Sequence, residues 1–154
     1  MSRRVWRITH RDYKDSVFTG EGAKLFGGRF NSEGTPLVYT SGNLSLAMLE
    51  MFVQSNDRDY FKNCLFFYVD LAEDLIFKPS PEDFPEGWNQ VPFGNSSQQF
   101  GDKWISSGSK PVMQIPSVVV PVEYNFVLNP AHPDFHQISY QEFDSVVFDE
   151  RLFV

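Results

Sequence analysis

The sequence has few of the residues that form disulfides or bind metal ions. It has one cysteine, Cys64, so no disulfide can form within the chain, and only three histidines. His132 and His136 are four positions apart, but Pro133 between them opposes the helix that would direct both rings at one metal ion. We therefore expect neither a disulfide framework nor a bound metal.

Long apolar runs are also missing. No stretch approaches the roughly 20 residues of a membrane span, and no apolar segment of a secretory signal follows the basic N-terminus. The chain has no internal repeat and no low-complexity segment. These absences favour a cytoplasmic protein. A length of 154 residues, 42% of them hydrophobic, is enough for one domain with its own core.

Positive charge is scarce and unevenly placed. The net charge is -7, yet residues 1–30 carry seven of the 13 lysines and arginines against three acidic residues. Long nucleic acids bind through many phosphate contacts, so this acidic chain is a poor candidate for direct nucleic-acid binding. The basic segment suits a small anionic ligand better. The alternative is a solvated strand edge whose charges oppose aggregation.

The hydrophobic pattern predicts more strand than helix, in an order that favours an α+β fold over alternating β–α units. Strands are predicted over residues 5–9, 36–41, 64–71, 111–121 and 123–129. Helices are predicted over 42–54, capped by Asn43 or Ser41, and over 102–108, ending at Gly108. The remaining predictions are long loops over 20–34 and 78–100, and a last strand or short helix over 143–153.

One acidic residue lies in a predicted helix that is otherwise apolar. In residues 42–54 the spacing gives a core face of Leu44, Ala47, Met48, Met51 and Phe52. The opposite side carries Glu50 among Leu46, Leu49 and Val53. A helix apolar on both sides is expected to be largely buried, so Glu50 should lie in or beside a cleft and have a partner. A glutamate at a helix edge that reaches solvent fits the same pattern.

The stretch "FGGRFNSEG", residues 26–34, surrounds Arg29 with Gly27, Gly28 and Gly34. Its spacing fits neither the phosphate-binding loop of nucleotide-hydrolysing enzymes nor the dinucleotide-binding fingerprint. Glycines that let the backbone approach a ligand, beside a guanidinium that can bind phosphate through two parallel hydrogen bonds, still suit an anion site. The alternative is a glycine-rich hairpin with a surface arginine.

Four separated segments together resemble the RES domain family in order and spacing: "VWRIT", "GAKLFGGRFNSEGTPLVYTSGNLSLAMLE", "IPSVVVPVEYNFVLNPAHPDF" and "FDERLF". The resemblance covers nearly the whole chain, so residues 1–154 are interpreted as a single RES domain. The three residues that give the family its name match Arg29 in "GGRF", Glu50 in "AMLE" and Ser117 in "IPS".

The resemblance implies a fold similar to the ADP-ribosyltransferase core of diphtheria-type toxins: an α+β core of mixed or antiparallel β-sheet with few flanking helices. It implies the toxin of a bacterial toxin–antitoxin pair, which destroys NAD+ at the nicotinamide–ribose bond by hydrolysis or phosphorolysis. NAD+ is then a substrate, inorganic phosphate a second substrate in phosphorolysis, and no cofactor is needed. A cognate Xre-like antitoxin would cover the active site in a hetero-oligomer.

Three residues are expected to carry the catalysis. Cleavage of the bond to nicotinamide passes through an oxocarbenium-like state, and Glu50 would hold the ribose and stabilise the positive charge that develops there. Arg29 would bind the pyrophosphate or its flanking phosphate. Ser117 would hydrogen-bond Glu50 or the ribose and fix its geometry.

Three further residues are expected to contact the substrate. Gly28 would let the phosphates approach Arg29 closely, and Arg7 would add a second positive contact. Tyr39 would stack on the nicotinamide ring.

Other functions stay open at the level of sequence. ADP-ribosyl transfer to a protein or other acceptor uses the same bond cleavage. A non-catalytic binding module is the alternative from another class, and in it Glu50 and Arg29 would form a buried ion pair. A toxin ribonuclease is disfavoured by the acidic composition and by the lack of a catalytic histidine and lysine cluster.

Overall fold

The computed structural model describes residues 1–143 and 148–153 of the chain. Its strands are β1 (Ser2–His10), β2 (Val38–Ser41), β3 (Cys64–Ala72), β4 (Ile76–Phe77), β5 (Val112–Pro116), β6 (Tyr124–Leu128) and β7 (Tyr140–Phe143). They form one seven-stranded sheet in the order β4-β5-β6-β2-β1-β3-β7. β4 and β5 run parallel, and the other neighbours run antiparallel.

A few short helices flank this sheet: α1 (Glu21–Phe26), α2 (Leu44–Gln54), α3 (Arg58–Lys62) and α4 (Asn95–Ser107). Single 3-10 turns occupy Arg11–Ser16, Glu73–Leu75, Pro81–Asp83, Pro133–Gln137 and Glu150–Phe153. A mixed sheet with few helices confirms the predicted α+β class. Among the residues described, no helix has both the length and the apolar character needed to cross a membrane.

Both faces of the sheet contribute to the core, because successive side chains along a strand point to opposite faces. One face carries a cluster that includes Val5, Val38, Phe67, Phe126 and Leu128. On the other face, Phe30 and Trp104 pack with Leu37, which precedes β2, and with the strand residues Met113, Ile115 and Val127.

The strands with clear alternation or short apolar runs were predicted well. β1, β2, β3 and β6 fall on their predicted segments, and α2 begins directly after its predicted cap, where the Asn43 side chain accepts a hydrogen bond from the Leu46 amide. The segment 111–121 is only half strand, because β5 ends at Pro116 and residues 117–123 form a turn.

The loop predictions were partly wrong. Residues 20–34 include α1, and α4 begins at Asn95 rather than at 102. The first turns of α4 read "NSSQQFG" and are buried through the small residues Ser97 and Gly101, so no apolar periodicity announces the helix. α3 and β4 were not predicted. Of the segment 143–153, Phe143 ends β7 and Glu150–Phe153 form a 3-10 turn, and residues 144–147 lie outside the described part.

Burial of α2 on both sides was also a wrong prediction. Leu46 and Ala47 are buried, but Leu49 is 44% exposed and Val53 is 63% exposed. Glu50 lies one turn beyond Leu46 and is half-buried, at the boundary between the covered and the open side.

The basic N-terminal strand is not a sheet edge. β1 lies between β2 and β3, and Arg3 and Arg4 form ion pairs with Glu73 and Asp70. β1 pairs with β3 along its whole length but with β2 through a single residue pair, Trp6 with Ser41. The two halves of the sheet therefore separate beyond this pair.

We expect Gly101→Ala to lower the free energy of unfolding by about 3 kcal/mol, because a Cβ at Gly101 would overlap the Phe30 carbonyl of the loop beneath α4. Urea unfolding followed by circular dichroism measures this. Gly22→Ala is the matched control, since Gly22 is also helical and a Cβ there meets nothing within 4 Å. The control should be neutral or stabilising by up to about 1 kcal/mol, and equal losses in both variants would contradict the packing argument.

Candidate active site

The centre of the candidate site is the Glu50 carboxylate. Its Oε1 accepts two hydrogen bonds, from Ser117 Oγ at 2.8 Å and from Asn125 Nδ2 at 2.6 Å. The hydrogen bond between Ser117 and Glu50 was predicted; the one from Asn125 was not. No residue of the described ranges donates to Oε2. One carboxylate oxygen is therefore fixed by the protein, and the other has no donor in the described part of the chain.

The Ser117 hydroxyl has one direction in which to donate. Its oxygen accepts hydrogen bonds from the amides of Val119 at 3.0 Å and Val120 at 2.9 Å. A hydroxyl has two acceptor sites and one proton, so these amides leave the proton for Glu50. The turn that supplies them is closed between Ser117 and Glu123, whose backbone groups bond at 2.9 Å. Ser117 is 1% exposed, which protects this geometry from water.

Asn125 lies on β6, between β5 and β2, where it is paired with Ile115 on one side and Ser41 on the other. Its Oδ1 accepts a hydrogen bond from Ser41 Oγ at 2.8 Å, and its Nδ2 faces Glu50. Sequence reasoning missed Asn125. The signal was present, since in "EYNFVLN" it shares its strand face with the buried Val127.

A second polar pair joins the start of α2 to Glu123, the residue that directly precedes β6. The Asn43 side chain caps α2 and donates through Nδ2 to Glu123 Oε1 at 3.0 Å. Between the pairs, the Gly42 amide donates to the Tyr124 carbonyl at 2.9 Å. These bonds fix the start of α2 against β6, and with it the direction of Glu50.

Arg29 is half-buried beneath the loop that precedes α4. Its Nη1 donates to the carbonyls of Trp88 at 3.0 Å and Gln90 at 2.8 Å, and its Cζ lies 5.8 Å from the centre of the Phe93 ring. The antiparallel bridge between Gly28 and Asn31 makes this segment a small hairpin, as the alternative expected, but Arg29 is half-buried and held by two carbonyls rather than free at the surface. In the described structure Nε and Nη2 have no partner, so the guanidinium retains donors for an anion.

Glu50 affects the charge state of Arg29 although the two side chains are not in contact. Burial lowers the pKa of Arg29, and the nearby Glu50 carboxylate opposes this by favouring the charged guanidinium. Yet the two side chains, both of which are described, form no ion pair. The buried ion pair expected of a non-catalytic module is therefore absent. The two groups are close enough for the carboxylate to favour the charged guanidinium, but they are not in contact.

The glycines beside Arg29 have local reasons. A Cβ at Gly28 would lie 2.5 Å from the Tyr39 hydroxyl, and Gly27 ends α1 with φ = +72°. The Tyr39 hydroxyl accepts from the Phe30 amide at 3.0 Å and donates to Asn31 Oδ1 at 2.6 Å. Burial raises the pKa of Tyr39 and keeps this hydroxyl protonated. The close approach that Gly28 permits is thus to Tyr39, and its predicted contact with phosphate stays a prediction.

The loop that carries Arg29, residues 27–34, is called the arginine loop, and Asn31 supports it from within. It is fully buried, and its Nδ2 donates to the carbonyls of Ala23 at 2.8 Å and Thr35 at 2.9 Å. Asp102 of α4 holds the next residue by accepting from both the amide and the hydroxyl of Ser32. Neither Asn31 nor Asp102 was predicted, because their partners lie in segments whose approach the sequence does not reveal.

Arg7 bridges the separation between β1 and β2. Its Nε donates to the Val17 carbonyl at 2.6 Å and its Nη1 to the Tyr39 carbonyl at 2.9 Å. Burial lowers the pKa of Arg7 to about 10. Arg7 therefore braces the backbone that carries Tyr39, and its predicted substrate contact stays a prediction.

The histidines and acids do not gather around a metal ion. Within residues 1–143 and 148–153 no three histidine, cysteine, aspartate or glutamate side chains are grouped so that they could bind one. His132 Nε2 lies 2.9 Å from the Gly108 carbonyl, and His136 Nδ1 lies 2.7 Å from the Pro133 carbonyl.

Nearly the whole chain is similar in sequence to known proteins. The model of the RES domain matches residues 4–152. The chain belongs to the RES domain family. Toxin Res of Yersinia enterocolitica serotype O:8 / biotype 1B is 34% identical over 149 residues, covering 96% of this chain and 98% of the relative. The Prs ADP-ribosylating toxin of Sphingobium sp. (strain YBL2) is 32% identical over 157 residues, covering 99% and 98%.

A solved structure has the same fold as this RES domain. A chain of the M. tuberculosis MbcT–MbcA toxin–antitoxin complex superposes with a TM-score of 0.73, covering 93% of this chain and 85% of that chain. At 15% sequence identity the likeness concerns the fold alone.

We expect Gly28→Ala and Tyr39→Phe to be coupled in stability. Gly28→Ala alone forces Cβ against the Tyr39 hydroxyl and should cost about 2 kcal/mol. Tyr39→Phe alone leaves the Phe30 amide without its acceptor and should cost about 1 to 3 kcal/mol. The double variant should lose less than the sum by about 1 kcal/mol, because the nearer of the two oxygens that the Cβ would meet is gone and only Asn31 Oδ1, at 2.8 Å, remains.

Urea unfolding of the four proteins measures this coupling. The control is Gly22→Ala combined with Tyr39→Phe, which should be additive, since Gly22 has open space around it. Additive losses for Gly28→Ala as well would show that Gly28 does not serve the Tyr39 hydroxyl.

Proposed function

We propose that this RES domain protein is the toxin of a bacterial toxin–antitoxin pair, and that it cleaves NAD+ at the bond between nicotinamide and ribose. Water or inorganic phosphate accepts the ADP-ribosyl group. Membership of the RES family supports this, as do relatives named Toxin Res and Prs ADP-ribosylating toxin. NAD+ is the common donor of ADP-ribosyl groups, so the second name fits the same bond cleavage.

The observation that carries the proposal is the carboxylate of Glu50 with one oxygen fixed and the other open. Departure of nicotinamide leaves positive charge on the ribose, and the leaving group needs no strong acid because it departs as a neutral base. A carboxylate held in place beforehand stabilises that charge without reorganising during the reaction. Glu50 would bind the ribose through Oε2, and Ser117 would keep Oε1 in position.

Arg29 would bind the phosphates of NAD+. Its Nη1 is held by two loop carbonyls, which orients the guanidinium plane and leaves Nε and Nη2 for phosphate oxygens. A guanidinium oriented in advance binds with a smaller entropy loss. Arg7 and Tyr39 would line the same substrate path, Arg7 by adding positive charge and Tyr39 by offering its ring to nicotinamide. Gly28 would keep the backbone bare where the phosphates pass.

An antitoxin would cover this site. Apolar side chains are exposed next to the residues of the site: Phe26 at 78%, Phe93 at 41%, Leu49 at 44% and Val122 at 88%. Exposed apolar groups around a polar centre are typical of protein interfaces. The structural neighbour comes from a toxin–antitoxin complex. We propose a Xre-like antitoxin and a hetero-oligomer, in the cytoplasm, where NAD+ is abundant.

ADP-ribosyl transfer to a macromolecule is the second candidate, favoured by the name of the Sphingobium relative. It needs the same Glu50 and Arg29. NAD+ labelled on the adenylate side distinguishes the two, since label fixed to protein or nucleic acid means transfer and free labelled ADP-ribose means hydrolysis.

The test of the proposed function follows NAD+ by proton NMR, with purified protein free of antitoxin, in buffers with and without inorganic phosphate. We expect release of nicotinamide, and ADP-ribose 1″-phosphate only in the phosphate buffer if phosphate is the acceptor.

Glu50→Gln should keep the fold and NAD+ binding but lose turnover by about 100-fold or more. Glu33→Gln, which changes an exposed glutamate of the arginine loop, should behave as wild type. Intact NAD+ from folded wild-type protein would overturn hydrolysis and phosphorolysis, and unchanged turnover of Glu50→Gln would remove Glu50 from the mechanism.

We expect Arg29→Lys to weaken NAD+ binding by about tenfold, because one ammonium cannot replace a planar guanidinium that uses Nη1 for the loop and its other nitrogens for phosphate. Binding is measured by calorimetry in the inactive Glu50→Gln background, so that turnover does not interfere. Arg11→Lys is the control, because Arg11 is exposed. Equal affinity for NAD+ in Glu50→Gln alone, in Glu50→Gln with Arg29→Lys and in Glu50→Gln with Arg11→Lys would mean that Arg29 does not bind the substrate.

A further inference from the structure

We propose that Asn125 is a positioning residue for Glu50: together with Ser117 it occupies both acceptor sites of one carboxylate oxygen, and so it fixes the plane of the carboxylate and the direction in which the other oxygen faces the substrate. The contact at 2.6 Å is the shorter of the two that Oε1 receives. Hydrogen bonds to an ionised acceptor are short and about twice as strong as neutral ones. Asn125 is therefore a principal constraint on this carboxylate.

The orientation of the Asn125 amide follows from its surroundings. Nδ2 faces the carboxylate, and Oδ1 accepts the Ser41 hydroxyl, which is itself 5% exposed. With the amide reversed, Oδ1 would face an anionic oxygen, and the hydrogen bond to Glu50 would become a repulsion. The Ser41 hydroxyl thus satisfies Asn125 Oδ1, which would otherwise lack a hydrogen-bond donor, and so holds the amide in this orientation.

The backbone beneath Asn125 cannot follow Glu50 if the helix shifts. β6 is paired on both sides at this residue, with Ile115 and with Ser41. Glu123, directly before this strand, holds the start of α2 through Asn43. Asn125 therefore fixes the position of the carboxylate relative to the centre of the sheet. Ser117 fixes it relative to the turn that follows β5.

The chemistry explains why two donors on one oxygen are useful. A carboxylate that rotates about its Cγ–Cδ bond presents its oxygens to the ribose at varying angles. Two donors from different directions fix that torsion angle, so that the free oxygen faces the developing charge. Loss of Asn125 should then reduce the rate of reaction more than the binding of substrate.

The first test is spectroscopic and does not depend on activity. The side-chain amide signals of Asn125 are assigned in a 1H–15N spectrum by their absence from Asn125→Ala. Replacement of the charged acceptor in Glu50→Gln should shift them upfield, because a bond to an anion deshields the amide proton more. Glu33→Gln should leave them in place. Signals that do not respond to Glu50→Gln overturn the proposal, whether or not the protein cleaves NAD+.

The second test is kinetic and rests on the proposed function. Asn125→Ala should lower kcat by about tenfold or more with little change in KM, as expected for loss of a hydrogen bond to a charged group. Asn125→Asp keeps the shape but sets a second carboxylate against Glu50, so its loss should be greater. Asn56→Asp makes the same chemical change at an exposed site and should have no effect.

The two tests separate the two ideas. If the Asn125 amide signal shifts in Glu50→Gln but the wild-type protein leaves NAD+ intact, the proposed function is wrong and the positioning of Glu50 by Asn125 is supported. An Asn125→Ala protein with wild-type kcat, or one in which Asn125→Asp equals Asn125→Ala, would overturn the positioning role for NAD+ cleavage. So would an equal further loss of kcat from Asn125→Ala in the Glu50→Gln background, since Asn125 would then act elsewhere.

Discussion

A half-buried carboxylate must have hydrogen-bond donors, and the structure around Glu50 is organised to supply them. Ser117 can donate because two amides of its own turn occupy its acceptor sites. Asn125 can donate because Ser41 occupies its oxygen. The turn after β5, the pairing of β6 with β2 and the start of α2 are all needed at once, so the site is a property of the whole sheet rather than of one segment.

The arginine side of the site depends on a different kind of constraint, the close approach of backbones. α4 lies directly on the Phe30 carbonyl, because Gly101 has no side chain. The loop between them is held from within by Asn31 and from α4 by Asp102. Arg29 leaves this rigid loop and meets the carbonyls of Trp88 and Gln90, so its charge is held near Glu50 without neutralising it.

Sequence patterns predict the parts of this fold whose cause is local. α2 follows from its apolar spacing and its Asn43 cap, and β3 follows from an apolar run. The start of α4 could not be predicted, because Ser97 and Gly101 are buried for their small size and give no apolar period. Asn125 could not be assigned to Glu50, because their contact depends on the register of β6 against β2. Sequence alone could not show that the absence of a side chain at Gly28 makes room for the Tyr39 hydroxyl and the Asn31 side chain. The family resemblance matched Arg29, Glu50 and Ser117 to the residues that name the family, but it could not show what supports them.

The donors to Glu50 stand 67 and 75 residues away from it along the chain. Ribosomes make a protein from its N-terminus, so the carboxylate and the arginine loop emerge long before the turn at Ser117 and the strand at Asn125. Until that strand has inserted between its two neighbours, Glu50 lacks the hydrogen bonds from Ser117 and Asn125 that orient its carboxylate. A chain that stops before Asn125 therefore carries the carboxylate and the arginine without the two side chains that orient Glu50.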